Sequence, residues 1–260
     1  MYYCCGITEK GIRPHNEDAM LLKFHVRTEG ALQIASDAPM IAAVADGVSG
    51  EKAGELASQL CLKLLAAVKY RKKVSLKRTL LDIHKQIAET SQKQADTENM
   101  QTTLCGFAID EQHGLHCFNV GDSRLYRFRG GALEQISRDQ TLVQMLYDEG
   151  TITSEEKKNH THRNIVLPVM GNLGDPPKPE IIPFSEGMQT GDVLLICSDG
   201  LTDYVTDHEI AETLAAAKPL PLRLEALVQT ALKKGGKDNI TVIAAVRYPE
   251  GIPLPPCEWT

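Results

Sequence analysis

The sequence predicts an α+β protein, a four-layer αββα sandwich with two central antiparallel β-sheets and antiparallel helix pairs outside. Three observations predict it. Short apolar or alternating runs bounded by Gly, Asp or Asn recur along the chain, as strands do. The helical stretches arrive in pairs. The strict strand–helix alternation of a parallel sheet is missing.

The strand runs are residues 2–8, 19–26, 40–45, 103–109, 114–120, 124–128, 193–197 and 240–247, with Gly130-Gly131 marking a hairpin turn. Glu51 to Tyr70 reads as the first helix. Its apolar positions Ala53, Leu56, Ala57, Leu60, Cys61, Leu64, Leu65 and Val68 form one continuous face at helical period. Leu76 to Ser91 is its partner. Asp207 to Ala217 and Leu222 to Lys234 form a second pair, whose later member buries Leu224, Leu227, Val228, Ala231 and Leu232. Residues 141–165 break the pattern. Thr153 starts like a helix cap, and the periodicity then fades through His160 and His162. This stretch is either a surface excursion or a flap beside a site, since long insertions in compact domains are often functional. Residues 248–260 form a proline-rich tail, expected to be extended or disordered.

The chain has 260 residues, 42% hydrophobic and 24% charged, enough for one large sheet-based domain. A net charge of -6 argues against nucleic acid as the main partner. The basic run Lys69–Lys73 reads as a solvated helix end. No apolar stretch approaches the roughly 20 residues that span a bilayer, and the N-terminus lacks the pattern of a signal peptide, so a cytoplasmic protein is expected. Seven cysteines at irregular spacing suggest neither a disulfide framework nor a zinc site. Cys61, Cys105, Cys117 and Cys197 sit in apolar segments, and Cys4-Cys5 reads as strand.

Chemistry gathers at the strand ends. Asp46 and Asp199 each close an apolar run just before a glycine, Asp122 follows Gly121 after another, and Asp238 precedes a fourth. Glu17-Asp18 follows Arg13 near the N-terminus. Carboxylates gathered in this way need a counter-charge, and hard divalent cations supply it because they take several oxygen ligands at once. The arginine beside them suits an anionic substrate.

The motifs Arg13-Pro-His-Asn-Glu-Asp18, Val44-Ala-Asp-Gly-Val-Ser-Gly50, Thr102-Thr-Leu104, Asn119-Val-Gly-Asp-Ser-Arg124, Ser198-Asp-Gly-Leu-Thr-Asp203 and Gly236-Lys-Asp-Asn-Ile-Thr241 together resemble the metal-dependent protein phosphatases, the type 2C serine/threonine class. They occur in that family's order, and the compact length looks most like its bacterial branch. The resemblance implies a catalytic domain over residues 1–247, with the flap at about 141–165. It also implies hydrolysis of phosphoserine and phosphothreonine by a water or hydroxide bridging two Mn²⁺ or Mg²⁺ ions. Asp46 would bridge the ions, and Asp199 and Asp238 would bind the first. The Gly47 carbonyl, with Glu17 and Asp18 directly or through water, would hold the second. Arg13 and Asp46 would be the catalytic pair, with Arg13 gripping phosphoryl oxygens. Asp122, Asp199 and Asp203 would form a third metal site, and Asn239 would orient Asp238. The implied partners are phosphorylated proteins and a serine/threonine kinase, with no nucleic acid, no membrane and a monomeric enzyme.

Plainer readings stand beside these. Asp122 suits a salt bridge to Arg124, Asp203 a surface helix charge, and Arg13 a surface arginine. The sequence also departs from the family. Val48 stands where a proton-donating histidine is common, Ser49 and Glu51 replace the usual Gly and His, and Gln140 replaces another histidine. The leaving group would then take its proton from a metal-bound water or from His15. A catalytically silent module that holds phosphoproteins is the rival function. The retained acids argue against it, since a silent module would be free to lose such costly charges. A small-molecule phosphodiesterase would favour a histidine-rich set.

Overall fold

The computed structural model describes residues 1–48, 53–93 and 97–249. Two six-stranded sheets form its centre. The first runs β4 (Gly30–Ser36), β1 (Tyr2–Glu9), β12 (Ile240–Arg247), β11 (Val193–Cys197), β8 (Arg124–Arg129), β9 (Ala132–Gln135). The second runs β10 (Glu180–Phe184), β7 (Leu115–Val120), β6 (Leu104–Ile109), β5 (Met40–Asp46), β2 (Asp18–Leu22), β3 (His25–Arg27). Every pairing of these strands is antiparallel. Helices α1 (Gly54–Ala66) and α2 (Leu76–Ser91) cover the second sheet, and α6 (Asp207–Ala215) and α7 (Leu220–Lys233) cover the first. The expected four layers are therefore present.

Four layers explain why the inner strands are apolar at every position. Successive side chains point to opposite faces, and here both faces are covered. In β5, Met40, Ala42 and Val44 enter the core between the sheets, while Ile41, Ala43 and Ala45 meet the α1/α2 layer. In β11, Leu194 and Ile196 face inward while Val193, Leu195 and Cys197 meet α6 and α7. Cys4 and Cys5 divide between the same two layers. All cysteines among the described residues are buried free thiols, and burial pushes Cys61, Cys117 and Cys197 up to about 12, so they are packing residues without thiolate chemistry.

Several expectations need correction. The run 19–26 is two strands, because Lys23 adopts φ 61 and turns the chain between β2 and β3. Strands β4, β9 and β10 were not anticipated. The first helix is shorter than its pattern, and its residues 51 and 52 lie outside the described set. Its buried face is Gly54, Ala57, Ser58, Cys61, Leu62 and Leu65, while Leu56 is 43% exposed. Ala57, Cys61 and Leu65 of the predicted face are buried as expected, and Gly54 lets the start of the helix approach the backbone of Gly47 closely. Leu76–Ser91 matches its expected bounds, capped by Ser75 Oγ accepting from the Arg78 N–H. The flap holds two short helices, α3 (Leu142–Asp148) and α4 (Ser154–Asn159), the latter opened by a Thr153/Glu156 capping box. The predicted tail lies outside the described residues beyond Tyr248 and Pro249.

Phe107 on β6 is fully buried between the sheets. Phe107→Ala should destabilise the protein by about 3–5 kcal/mol, read as a lower urea midpoint at unchanged slope. A midpoint that does not move would mean that the inter-sheet core closes over the gap.

Candidate metal centre

Antiparallel pairing carries the predicted acids to one end of the sandwich. Asp18 opens β2, Asp46 closes β5, and the two are direct ladder partners. Asp199 follows β11 and is the first residue of α5 (Asp199–Thr202), while Asp238 precedes β12, the strand paired with β11. Asp122 lies between β7 and β8, and β8 is the other neighbour of β11.

Local chemistry fixes each one. The Asp46 backbone is held on both sides: its N–H donates to Thr103 Oγ1 at 3.1 Å, and its carbonyl accepts from Thr103 N at 2.8 Å and Thr102 Oγ1 at 2.9 Å. Gly47 donates its N–H to the Glu17 carbonyl at 3.1 Å. A side chain at Gly47 would stand 2.5 Å from the Gly54 backbone, and one at Gly200 would stand 1.9 Å from the Asn239 carbonyl. Both glycines after the key aspartates are thus required by close backbone approach. The Glu17 carboxylate lies beside Gly54 at the start of α1.

The acids act strongly on one another. Burial pushes Asp46 well above the ordinary carboxylate range, and the charges of Asp18, Asp199, Asp122 and Asp238 push it further. Asp199 is raised by burial and then by Asp122, Asp238, Asp203 and Asp18. Asp18 and Asp122 are each pushed up to about 6, chiefly by burial. Asp18 Oδ1 is buried with no hydrogen-bond partner. Among the described residues no three His, Cys, Asp or Glu side chains stand close enough to make a ligand cage. The acids repel one another through space instead, as like charges brought close together do. An all-oxygen set with a buried orphan oxygen is chemically suited to a hard divalent cation.

The other candidates fall as follows. Arg13 is at the site, donating from Nε to the Lys237 carbonyl and from Nη2 to Asp238 Oδ2, each at 2.9 Å. Asn239 lies behind Asp238, but its side chain staples the Arg13 loop. Oδ1 accepts from Glu17 N at 2.8 Å, and Nδ2 donates to the carbonyls of Lys10 and His15. Its backbone N–H is what meets Asp238 Oδ1, at 2.9 Å. Arg124 forms its ion pair with Asp139, at 2.9 and 2.7 Å, so the salt bridge read between Asp122 and Arg124 is replaced by that pair. Asp203 accepts from Arg163 of the flap, at 3.4 and 3.3 Å. Val48 packs against the α1/α2 core, and Gln140 pins Gly121, Asn119 and Lys178 through its side-chain amide. Ser49 and Glu51 lie outside the described residues. A cleft of about 680 Å³ adjoins Asp122, Asp199 and Asp203 and is lined from the flap by Lys157, Lys158 and Arg163.

A family model described as "Protein phosphatase 2C" matches residues 17–239. The chain belongs to the protein phosphatase 2C family. It is an enzyme of the serine/threonine phosphatase class. It is 35% identical over 250 residues to the serine/threonine phosphatase stp of Listeria monocytogenes, covering 92% of this chain and 94% of that one. It is 33% identical over 237 residues to the serine/threonine protein phosphatase PstP of Mycobacterium tuberculosis, covering 87% of this chain and 45% of that protein. Among solved structures it resembles the serine/threonine phosphatase Stp1 of Staphylococcus aureus, with TM-score 0.80, 31% identity and 96% of each chain covered. It also resembles a PstP catalytic domain in complex with two manganese ions, with TM-score 0.74, 30% identity, and 95% and 99% covered.

Sequence reasoning missed several groups around this phosphatase's acids. Ser198 bonds Asp18 at 2.8 Å, Thr103 and Ser123 share a hydroxyl contact at 2.9 Å, and Asp139 and Arg163 take the charges described above. Ser198, Thr103 and Ser123 lie inside quoted motifs, yet their partners are far off in sequence, so no local signal marks them.

The shared field predicts opposite pH trends with and without metal. Between about pH 4 and 6 the folded protein holds protons on Asp18 and Asp122 that the unfolded chain has released. Metal-free protein should therefore gain stability as the pH falls through about 6. Added Mn²⁺ should raise Tm most at higher pH, because protons compete with it for the same oxygens. Thermal melts with chelator and with Mn²⁺ across this range check both signs. A chelated protein that loses stability from neutrality down to about pH 6 contradicts the mutual repulsion.

Proposed function

We propose that this phosphatase hydrolyses phosphoserine and phosphothreonine on proteins with two Mn²⁺ or Mg²⁺ ions, opposing a serine/threonine kinase. The observation that carries the reading is the convergence of Asp18, Asp46 and Asp199, whose proton affinities are raised by burial and then by neighbouring carboxylate charges, Asp238 among them, beside the Arg13 guanidinium. Asp46 would bridge the ions, Asp199 and Asp238 would hold the first, and the Gly47 carbonyl with Glu17 and Asp18 would hold the second. When bound, the ions supply charge neutralisation for the phosphoryl group and a nucleophile at neutral pH.

The chain's own residues do the rest. Arg13 has a planar donor fork, half-exposed at the rim and able to turn from Asp238 to phosphoryl oxygens. Asn239 holds the loop that carries it. Val48 packs into the core and offers no proton. The flap lysines Lys157 and Lys158 line the cleft beside Asp122, Asp199 and Asp203, where a protein substrate would lie and where a third ion would bind. No helix among the described residues is long and apolar enough to cross a membrane. We place the enzyme in the cytoplasm as a monomer.

Hydrolysis of an aryl phosphate should require added Mn²⁺ or Mg²⁺ and stop with chelator. Asp46→Asn should cost more rate than Asp199→Asn or Asp238→Asn, because one carboxylate serves both ions. Full activity in a metal-stripped sample removes the binuclear reading.

Arg13→Ala should raise KM for a phosphopeptide and lower kcat/KM about ten- to a hundredfold, the worth of one charge-assisted contact of about 1.5–3 kcal/mol. Mn²⁺ affinity should not fall, since Asp238 loses a competing cation. Unchanged kinetics would show that the guanidinium does not meet the phosphate.

A further inference from the structure

Ser198 stands at the N-cap of α5, the position where a serine hydroxyl ordinarily accepts from its own helix N–H groups. Here it makes no such bond. Its Oγ instead donates to Asp18 Oδ2 at 2.8 Å, across 180 residues of chain. The same Oγ accepts from the Thr241 N–H at 3.0 Å, which leaves its proton to donate, and the carboxylate at 2.8 Å is a much nearer acceptor than the Asn239 carbonyl at 3.5 Å. Both ends are shielded, with Ser198 1% exposed and Asp18 0% exposed.

This bond crosses the two sheets. Ser198 follows β11 of the first sheet, and Asp18 opens β2 of the second. It takes up one oxygen of Asp18 and leaves the other, Oδ1, buried and unpartnered, on the residue that pairs with Asp46 in the ladder. A buried carboxylate oxygen without a partner is costly unless a cation or donor meets it. A carboxylate with one oxygen tied is also no longer free to rotate.

We propose that Ser198 is a positioning residue of the metal centre, whose hydroxyl holds Asp18 across the seam between the sheets so that Oδ1 faces the cation. This rests on the reading of Asp18 as a cation-holding carboxylate. Ser198 touches neither substrate nor ion. It acts by sparing Asp18 the entropy and strain of reorienting when metal arrives, as partners behind metal ligands do.

The test is Mn²⁺ binding by the full-length chain without substrate, read from the free-ion electron paramagnetic resonance signal. Ser198→Ala should weaken Mn²⁺ binding about ten- to a hundredfold. Ser198→Thr, which restores the hydroxyl, should recover it. KM for an aryl phosphate should stay unchanged at saturating Mn²⁺, with kcat approaching wild type. The Mn²⁺-induced rise in Tm should shrink in Ser198→Ala, whereas a merely structural loss would lower metal-free and metal-loaded Tm alike. If Ser198→Ala does not fold, Ser198→Cys, which keeps a weaker donor, takes its place and should bind Mn²⁺ measurably less tightly than wild type. A folded Ala or Cys variant with wild-type Mn²⁺ affinity overturns the proposal. Wild-type protein that binds no Mn²⁺ overturns the metal reading itself, so the two failures are distinguishable.

Discussion

Repulsion among carboxylates at one end of the sandwich is the constraint on which the rest of the structure depends. Asp18, Asp46, Asp122 and Asp199 are drawn from both sheets to one place beside the cleft, where desolvation and their neighbours' charges raise each proton affinity. Such a cluster holds only if the backbones that carry it are over-determined. The hydrogen bonds of Thr102 and Thr103 around Asp46 do this on the second sheet, and the contact of Gly200 with Asn239 does it on the first. Rigidity of this kind turns repulsion into affinity for a cation, because the acids cannot relax by moving apart.

The four layers provide that rigidity. Inner strands buried on both faces have no solvated side on which to bend, and their alternation between two cores fixes register, since a slip of one residue would exchange the cores. Their ends are therefore stable seats. The flap is built differently. Its α4 buries no residue, and it is joined at its base by short backbone bonds, Leu142 N to Ile165 O at 2.9 Å and Leu167 N to Gln140 O at 2.8 Å. The Arg163–Asp203 pair ties it to the acidic end at an exposed position, where screening leaves such a pair little energy. The acids thus sit on rigid strand ends, while the polar segment beside them is held by few buried contacts.

The departures from the family pattern acquire physical meaning in the fold. Val48 and Gln140 each have a structural contact at their position. One fills space against α1 and α2, and the other is an amide that closes the turn carrying Asp122. Asn239 shows the reverse case: its place behind Asp238 was legible, while its work of stapling the Arg13 loop was not.

What the sequence by itself determined was whatever has a local signature. Apolar runs ending in Asp-Gly marked the central strands and their acids, and helical periodicity marked the outer pairs, with α2 legible residue for residue. The tertiary structure decided the edges and the partners. The strands that escaped or were merged, β3, β4, β9 and β10, are the edge strands of the two sheets. Edges are half-solvated: β3 and β9 carry charges, β10 carries Pro183, and β4 opens on Gly30 and mixes Gln33 with its apolar residues, so they lose the apolar pattern that identifies a strand. Which hydroxyl meets which carboxylate was equally out of reach. Ser198 and Asp18, Arg163 and Asp203, and Arg124 and Asp139 are joined by chain folding over many residues, and a single sequence encodes such pairings only through the packing of the whole sandwich.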